Sequence, residues 1–342
     1  MKHSNLASLA KEQYRLKKRL SAPLMGFPGL EMINSSIKLG QQNYKIHYEA
    51  VKALVETFHP DIIFPLMDLS VEANAIGRYT IFPVNDTATI PSPTFDLNHI
   101  DTLPKIDINA DTRALGYAKL TELLKRNISA EILKGVYVTG PYTLAALILG
   151  AEKTAQSIIL NPESLHRLIE YSIDIIKNYT TLLIKSGAQI VCVLEPSASM
   201  LGAAHFREFS GDYVKQISAL CDEYGAESIY HICGNTTHLI KSMAESGVSG
   251  LSLDSPDSGV NIARAITEVP ENVVIIGNIN PTGKIFSGSP VEVKEEVNEL
   301  LRSVDRFPNF ILSTGCDLPK NTPSENIEAF MEAGREYRVS VR

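Results

Sequence analysis

Short apolar runs alternate with amphipathic stretches along nearly the whole chain, and this alternation restricts the possible folds more than any other feature. The runs predict strands near Pro23–Phe27, Asp61–Leu66, Gly135–Thr139, Gln189–Leu194, Ser228–Ile232, Gly250–Leu253, Val273–Ile276 and Phe310–Ser313. Between them, helices are expected over Ile37–Phe58, Thr112–Ile128, Pro162–Ser186, Ala204–Tyr224, Thr237–Ser246, Val260–Thr267, Pro290–Val304 and Pro323–Arg338. Local punctuation agrees with these boundaries. Asn161-Pro162-Glu163 and Thr322-Pro323-Ser324-Glu325 each supply a cap, a first-turn proline and an acid. Gly187 and Gly247 stand where a left-handed residue would end a helix.

Eight strand–helix alternations imply parallel strands joined by crossovers, hence an α/β protein. The count suits a closed TIM (β/α)8 barrel, and residues 1–342 fit one such domain. No Gly-x-Gly-x-x-Gly follows a strand, which disfavours a dinucleotide-binding open sheet. Leu6, Leu9, Leu16 and Leu20 predict an N-terminal helical extension within residues 1–20, packed on the body. Tyr79–His99 reads as an irregular excursion over one rim, and Leu103–Asn109 as a linker.

A net charge of −7 argues against a nucleic-acid partner, which would call for a basic surface. No apolar run approaches the ~20 residues of a membrane span. Residues 1–20 lack the continuous apolar segment of a secretory signal, so the expected location is cytoplasmic. Four cysteines in a chain this long do not form a disulfide scaffold. Cys192 lies inside an apolar run and Cys221 inside a helical stretch, where a thiol serves as a small apolar filler. Cys233 and Cys316 differ, because each follows a strand at a polar, glycine-bearing turn.

In barrels of alternating strands and helices, active sites gather at the carboxyl ends of the strands. Those ends carry Asp68, Gly140-Pro141-Tyr142, Glu195-Pro196-Ser197, His231 with Cys233, Asp254, Asn278 with Asn280, and Cys316 with Asp317. His231 and Cys233 are two apart on a strand and share a face. With Cys316 they would offer one nitrogen and two sulfurs, a donor set suited to Zn2+ with a fourth position open for chemistry. Glu195 is the candidate fourth ligand; it could instead act as an acid or base, or pair with a neighbour. Asp68 and Asp254 are further candidates whose alternative role is capping a strand end. His205 and His238 are read as surface or capping residues.

The segment His231-Ile232-Cys233-Gly234-Asn235, with Gly315-Cys316, resembles the zinc signature of the corrinoid methyltransferases in the uroporphyrinogen decarboxylase superfamily. The resemblance continues through Gly140–Ala145, Glu195–Ser199 and Thr322–Asn326, covering roughly residues 130–338. Pro23–Pro28 and Phe64–Asp68 look more like the bacterial relatives that take methyl groups from methoxylated aromatics. It implies a barrel, a zinc ion held by His231, Cys233 and Cys316, and a separate corrinoid protein as partner. A small molecule would then donate or accept the methyl group, a methoxylated aromatic as donor being preferred and a thiol acceptor the alternative. Glu195 or Asp68 would hold or activate the substrate. The superfamily's decarboxylases hold a tetrapyrrole with an Arg-x-x-Gly-Arg-Tyr motif, and none appears near Pro23–Met32. Tetrapyrrole decarboxylation is therefore the less favoured reading.

Overall fold

Seven parallel strands pair in strict chain order in the computed structural model, which describes residues 5–91 and 95–340. They are β1 (Ile62–Ile63), β2 (Leu133–Thr139), β3 (Ile190–Leu194), β4 (Glu227–Ile232), β5 (Gly250–Leu253), β6 (Val274–Ile279) and β7 (Phe310–Thr314). The principal helices are α1 (Leu6–Arg15), α2 (Tyr44–Phe58), α3 (Thr112–Asn127), α4 (Pro141–Leu149), α5 (Pro162–Ser186), α6 (Asp212–Tyr224), α7 (Pro290–Ser303) and α8 (Ser324–Glu336).

Seven of the eight expected strands form. At Pro23–Phe27 the chain makes no regular strand and turns at Gly26–Phe27. The preceding residues instead bridge the two sheet edges. Leu312 N–H donates to Leu20 O and Ala22 N–H to Leu312 O, while Asp61 N–H donates to Ser21 O. Beyond that point the ladder fails for local reasons. Pro23 has no N–H to give, Leu24 N–H turns to the Thr314 side chain, and Gly26 is pressed against the Pro65–Leu66 backbone. The fold is thus a curled seven-stranded parallel sheet whose edges are joined by an irregular N-terminal segment.

Alternation along the strands sorts side chains into two layers. Ile62, Phe64, Tyr137, Ile190, Cys192, Leu194, Ile229, Val274, Ile276 and Ile311 form an inner cluster. Val136, Val138, Val191, Val193, Tyr230, Leu251, Ile275 and Leu312 face the surrounding helices. Helix α1 adds Leu6, Ala7 and Ala10 to the inner cluster, and Lys11 pairs with Glu271 just ahead of β6. This helix therefore plugs the amino-terminal mouth of the curled sheet, leaving the carboxyl-terminal mouth for the site. It ends at Arg15, short of Leu20.

The expected helix Ile37–Phe58 is broken at Asn43, which is extended and caps α2 by accepting from Lys45 N–H. Helix α5 runs over its expected span and ends on left-handed Gly187. In the Ala204–Tyr224 stretch, a π-helical turn at Arg207–Gly211 precedes α6. Helix α4 and its successor Ala151–Leu160 occupy a stretch that the apolar pattern left unassigned, because α4 is buried on nearly every side and shows no amphipathic period. Among the described residues no single helix is long and apolar enough to cross a membrane. The Tyr79–His99 excursion carries one antiparallel bridge, Ile81 to Thr89; its residues 92–94 lie outside the described residues, as do residues 1–4 of the N-terminal stretch.

Leu6 is fully buried in the plug. Replacing it with alanine is expected to cost about 2–5 kcal/mol, the usual range for an apolar side chain deleted from a packed core. Urea unfolding checks this; a loss below about 1 kcal/mol would mean that α1 is not part of the core.

Candidate metal centre

Strand register builds the site. His231 pairs with Ser252 on the neighbouring strand, so both side chains project from the same face at adjacent positions. The imidazole Nδ1 lies 3.0 Å from Ser252 Oγ. With Nδ1–H donating to that hydroxyl, the Nε2 lone pair is turned towards the sulfurs, the second-sphere arrangement that orients a metal-binding histidine. Cys233 follows β4, and its Sγ stands 3.2 Å from His231 Nε2. Gly234, at φ 91°, makes the turn that follows, and Asp254 fixes it by accepting Gly234 N–H at 2.6 Å.

Cys316 arrives from β7, across the sheet. Gly315 permits the approach, because a Cβ there would lie 2.5 Å from the Ser255 backbone nitrogen. Cys316 Sγ ends 3.6 Å from Cys233 Sγ, and the ligand atoms of His231, Cys233 and Cys316 all lie within 4.8 Å of one another. Tetrahedral Zn2+ with ordinary bond lengths sets sulfurs ~3.8 Å apart and sulfur from nitrogen ~3.5 Å apart. The two separations of 3.2 and 3.6 Å differ from these by a few tenths of an ångström, and with all three ligand atoms within 4.8 Å of one another the donors can share one ion. Contact with Cys233, together with burial, pushes the Cys316 thiol well up. A nearby cation is what would hold both sulfurs as thiolates.

The two carboxylates singled out from the sequence stand elsewhere on the rim. Glu195, fully buried, accepts from Tyr142 N–H at 2.8 Å, Thr143 N–H at 3.1 Å and Ser210 Oγ–H at 2.8 Å. Its carboxylate thus caps α4 and ties it to the π-helical turn. Burial pushes this carboxyl up to about 7 against the pull of those donors. Gly140 makes room for it, since a Cβ there would overlap the carboxylate. Asp68 is buried in a network of its own. It pairs with Arg113 and accepts from Tyr117 Oη–H at 2.7 Å and from Ser70 N–H at 2.9 Å.

Asp254 and Asp317 brace the metal-site loops. Asp317 accepts from Gly26 N–H and Met67 N–H, tying the Cys316 turn to the N-terminal segment and the loop after β1. Burial raises its carboxyl to about 7. Asn278 donates to the Asp254 and Val260 carbonyls, and Asn280 to Asp257. His238 bonds the Leu201 carbonyl. Sequence reasoning missed Ser252, although it lies on β5 only two residues before Asp254. It also missed Glu72, fully buried, which accepts from Thr139 N–H and Oγ1–H at the end of β2. Arg113 carried no local signal, because a helix start brings it to Asp68 from 45 residues away.

A curled parallel sheet with a His–Cys–Cys cluster at its carboxyl-terminal mouth places the chain among α/β proteins with a metal-competent rim. The family model described as uroporphyrinogen decarboxylase (URO-D) matches residues 31–337, and the chain belongs to that family. It is 26% identical over 309 residues to a uroporphyrinogen decarboxylase of Prochlorococcus marinus, covering 88% of this chain and 87% of the relative. It is likewise 26% identical over 299 residues to the methylcobamide:CoM methyltransferase MtbA of Methanosarcina mazei, covering 85% of each. Among solved structures, a methyltransferase from Methanosarcina mazei superposes with a TM-score of 0.83 at 17% identity, over 96% of this chain and 98% of that one. That likeness establishes the shared fold.

The buried acids give stability a defined pH dependence. Glu72 rises from 4.5 to about 7 through burial, so the folded chain keeps a proton that the unfolded chain releases. Its contribution is complete below about pH 4.5, declines as pH rises, and levels off above about 7. Glu72→Gln keeps an acceptor for Thr139 N–H and reverses the other contact, its amide donating to Thr139 Oγ1, and is expected to flatten this decline by up to one proton. Urea midpoints measured from pH 4.5 to 8 test it, and an unchanged slope would contradict the assignment.

Proposed function

We propose that this protein is a zinc-dependent methyltransferase that moves a methyl group between a small substrate and a corrinoid carried by a partner protein. A methoxylated aromatic is the preferred donor, and a thiol acceptor is the alternative. The observation that carries this reading is the convergence of His231, Cys233 and Cys316 from β4 and β7 at spacings suited to one tetrahedral ion. Similarity to a methylcobamide:CoM methyltransferase over most of both chains supports the same branch.

When bound, zinc would supply Lewis acidity, polarising an ether oxygen or keeping a thiol ionised near neutral pH. The chain's own residues prepare that position. Ser252 fixes the imidazole, Asp254 holds the Cys233–Gly234 turn, and Asp317 anchors the loop bearing Cys316. Glu195 and Asp68 are assigned to acid–base or orienting work at the rim. Ligation by Glu195 would require it to release Tyr142, Thr143 and Ser210. Three protein ligands leave a fourth position for substrate, as in catalytic rather than structural zinc sites.

A second reading, tetrapyrrole decarboxylation, is favoured by the equal identity to a uroporphyrinogen decarboxylase. The missing Arg-x-x-Gly-Arg-Tyr motif weighs against it.

Elemental analysis is expected to find about one zinc per chain, with a large loss in Cys316→Ala. Substoichiometric metal in both proteins would remove the basis of the proposal. With reduced cobalamin and methoxybenzoates as donors, or with methylcobalamin and thiols as acceptors, the zinc-loaded protein is expected to transfer methyl in at least one pairing. Release of carbon dioxide from a porphyrinogen, surviving Cys233→Ala, would instead favour the decarboxylase.

A further inference from the structure

A cavity of about 460 Å³ lies outside the curled sheet, where α2 and α3 both begin. Its size falls within the range of small-molecule sites. Lys45, Arg113 and Lys119 line it, together with His47, Gln41 and Tyr117, and no carboxylate is among the lining residues. In a chain of net charge −7 this is an unusual concentration of positive charge. Among the described residues neither lysine forms a salt bridge, while Arg113 is paired with Asp68. The nearest other acid in sequence, Asp111, is spent on capping α3 through Arg113 N–H and Ala114 N–H.

Two further observations point to an occupant. The 15-residue α2 presents its amino-terminal end here, adding the positive end of a backbone dipole, while the start of α3 is already met by the Asp111 carboxylate. Gln41 is 3% exposed, and neither its amide oxygen nor its amide nitrogen has a hydrogen-bond partner among the described residues. Arg113 Nε is likewise buried without a partner. Leaving such groups unpaired is costly, so each calls for a partner that the protein itself does not provide.

We propose that this cavity binds a small multivalent oxyanion, one that presents carboxylate or phosphate groups to Lys45, Lys119 and Arg113 and engages the Gln41 amide. Arg113 also donates to Asp68 and Ser70 in the loop that follows β1. An anion in the cavity and the Asp68 carboxylate therefore share one guanidinium, which links occupancy to the rim. The site is separate from the His–Cys–Cys cluster, and the inference does not depend on the methyl-transfer reading.

The test is direct binding to the full-length protein, by calorimetry and thermal shift, with inorganic phosphate and with succinate against chloride at matched ionic strength. Saturable binding of either is expected, and comparing the two distinguishes a phosphate ligand from a carboxylate one. Affinity should fall at least tenfold in the Lys45→Ala/Lys119→Ala variant, whose circular dichroism and zinc content should match the wild type. Gln41→Leu should also weaken binding, by severalfold, because it removes the amide without altering charge. Binding no stronger than chloride, or equal in wild type and the double-lysine variant, would overturn the proposal.

Discussion

The close approach of β7 to the turn after β5 is the constraint on which the site depends. Gly315 sits against the Ser255 backbone with no room for a side chain, and its N–H is held by the Ile279 carbonyl at 2.8 Å. The next residue is therefore delivered across the mouth of the sheet to within 3.6 Å of Cys233. Without that contact, His231 and Cys233 would be a two-donor pair. The site is thus a product of tertiary closure rather than of any local motif.

Around this contact the rim is stabilised by carboxylates that accept backbone N–H groups. Asp254 holds the turn after β4, Asp317 the turn after β7, Glu195 the start of α4, and Glu72 the end of β2. Each fixes a loop by meeting donors that a helix or strand end leaves unpaired. Burial raises Glu72, Glu195 and Asp317 to about 7. These acids give up solvation so that the donors they hold stay in place.

Much of this was legible in the sequence because parallel strands buried on both faces announce themselves as continuous apolar runs. Seven strands and the termini of α5 follow from that pattern. His231, Cys233 and Cys316 were identifiable because thiols and an imidazole at strand ends stand apart from Cys192 and Cys221, which are packed in apolar surroundings. The failures have physical causes. Pro23 and Gly26 broke a ladder that apolar composition alone suggested. The helix Pro141–Leu149 escaped notice because it is buried all round. Apart from Ser70 beside Asp68, the partners of Glu195 and Asp68 come from 15 to 53 residues away in sequence, through packing that no spacing rule records.

Helix α1 has a further consequence. With Leu6, Ala7 and Ala10 packed into one end of the curled sheet, the interior is closed from that side. Whatever reaches His231, Cys233 and Cys316 must enter and leave through the same opening. A macromolecule seated over that opening would shut in a small guest already inside and shut out one that had not yet entered. If a partner docks there, a small molecule bound beneath it would have to arrive before it and leave after it.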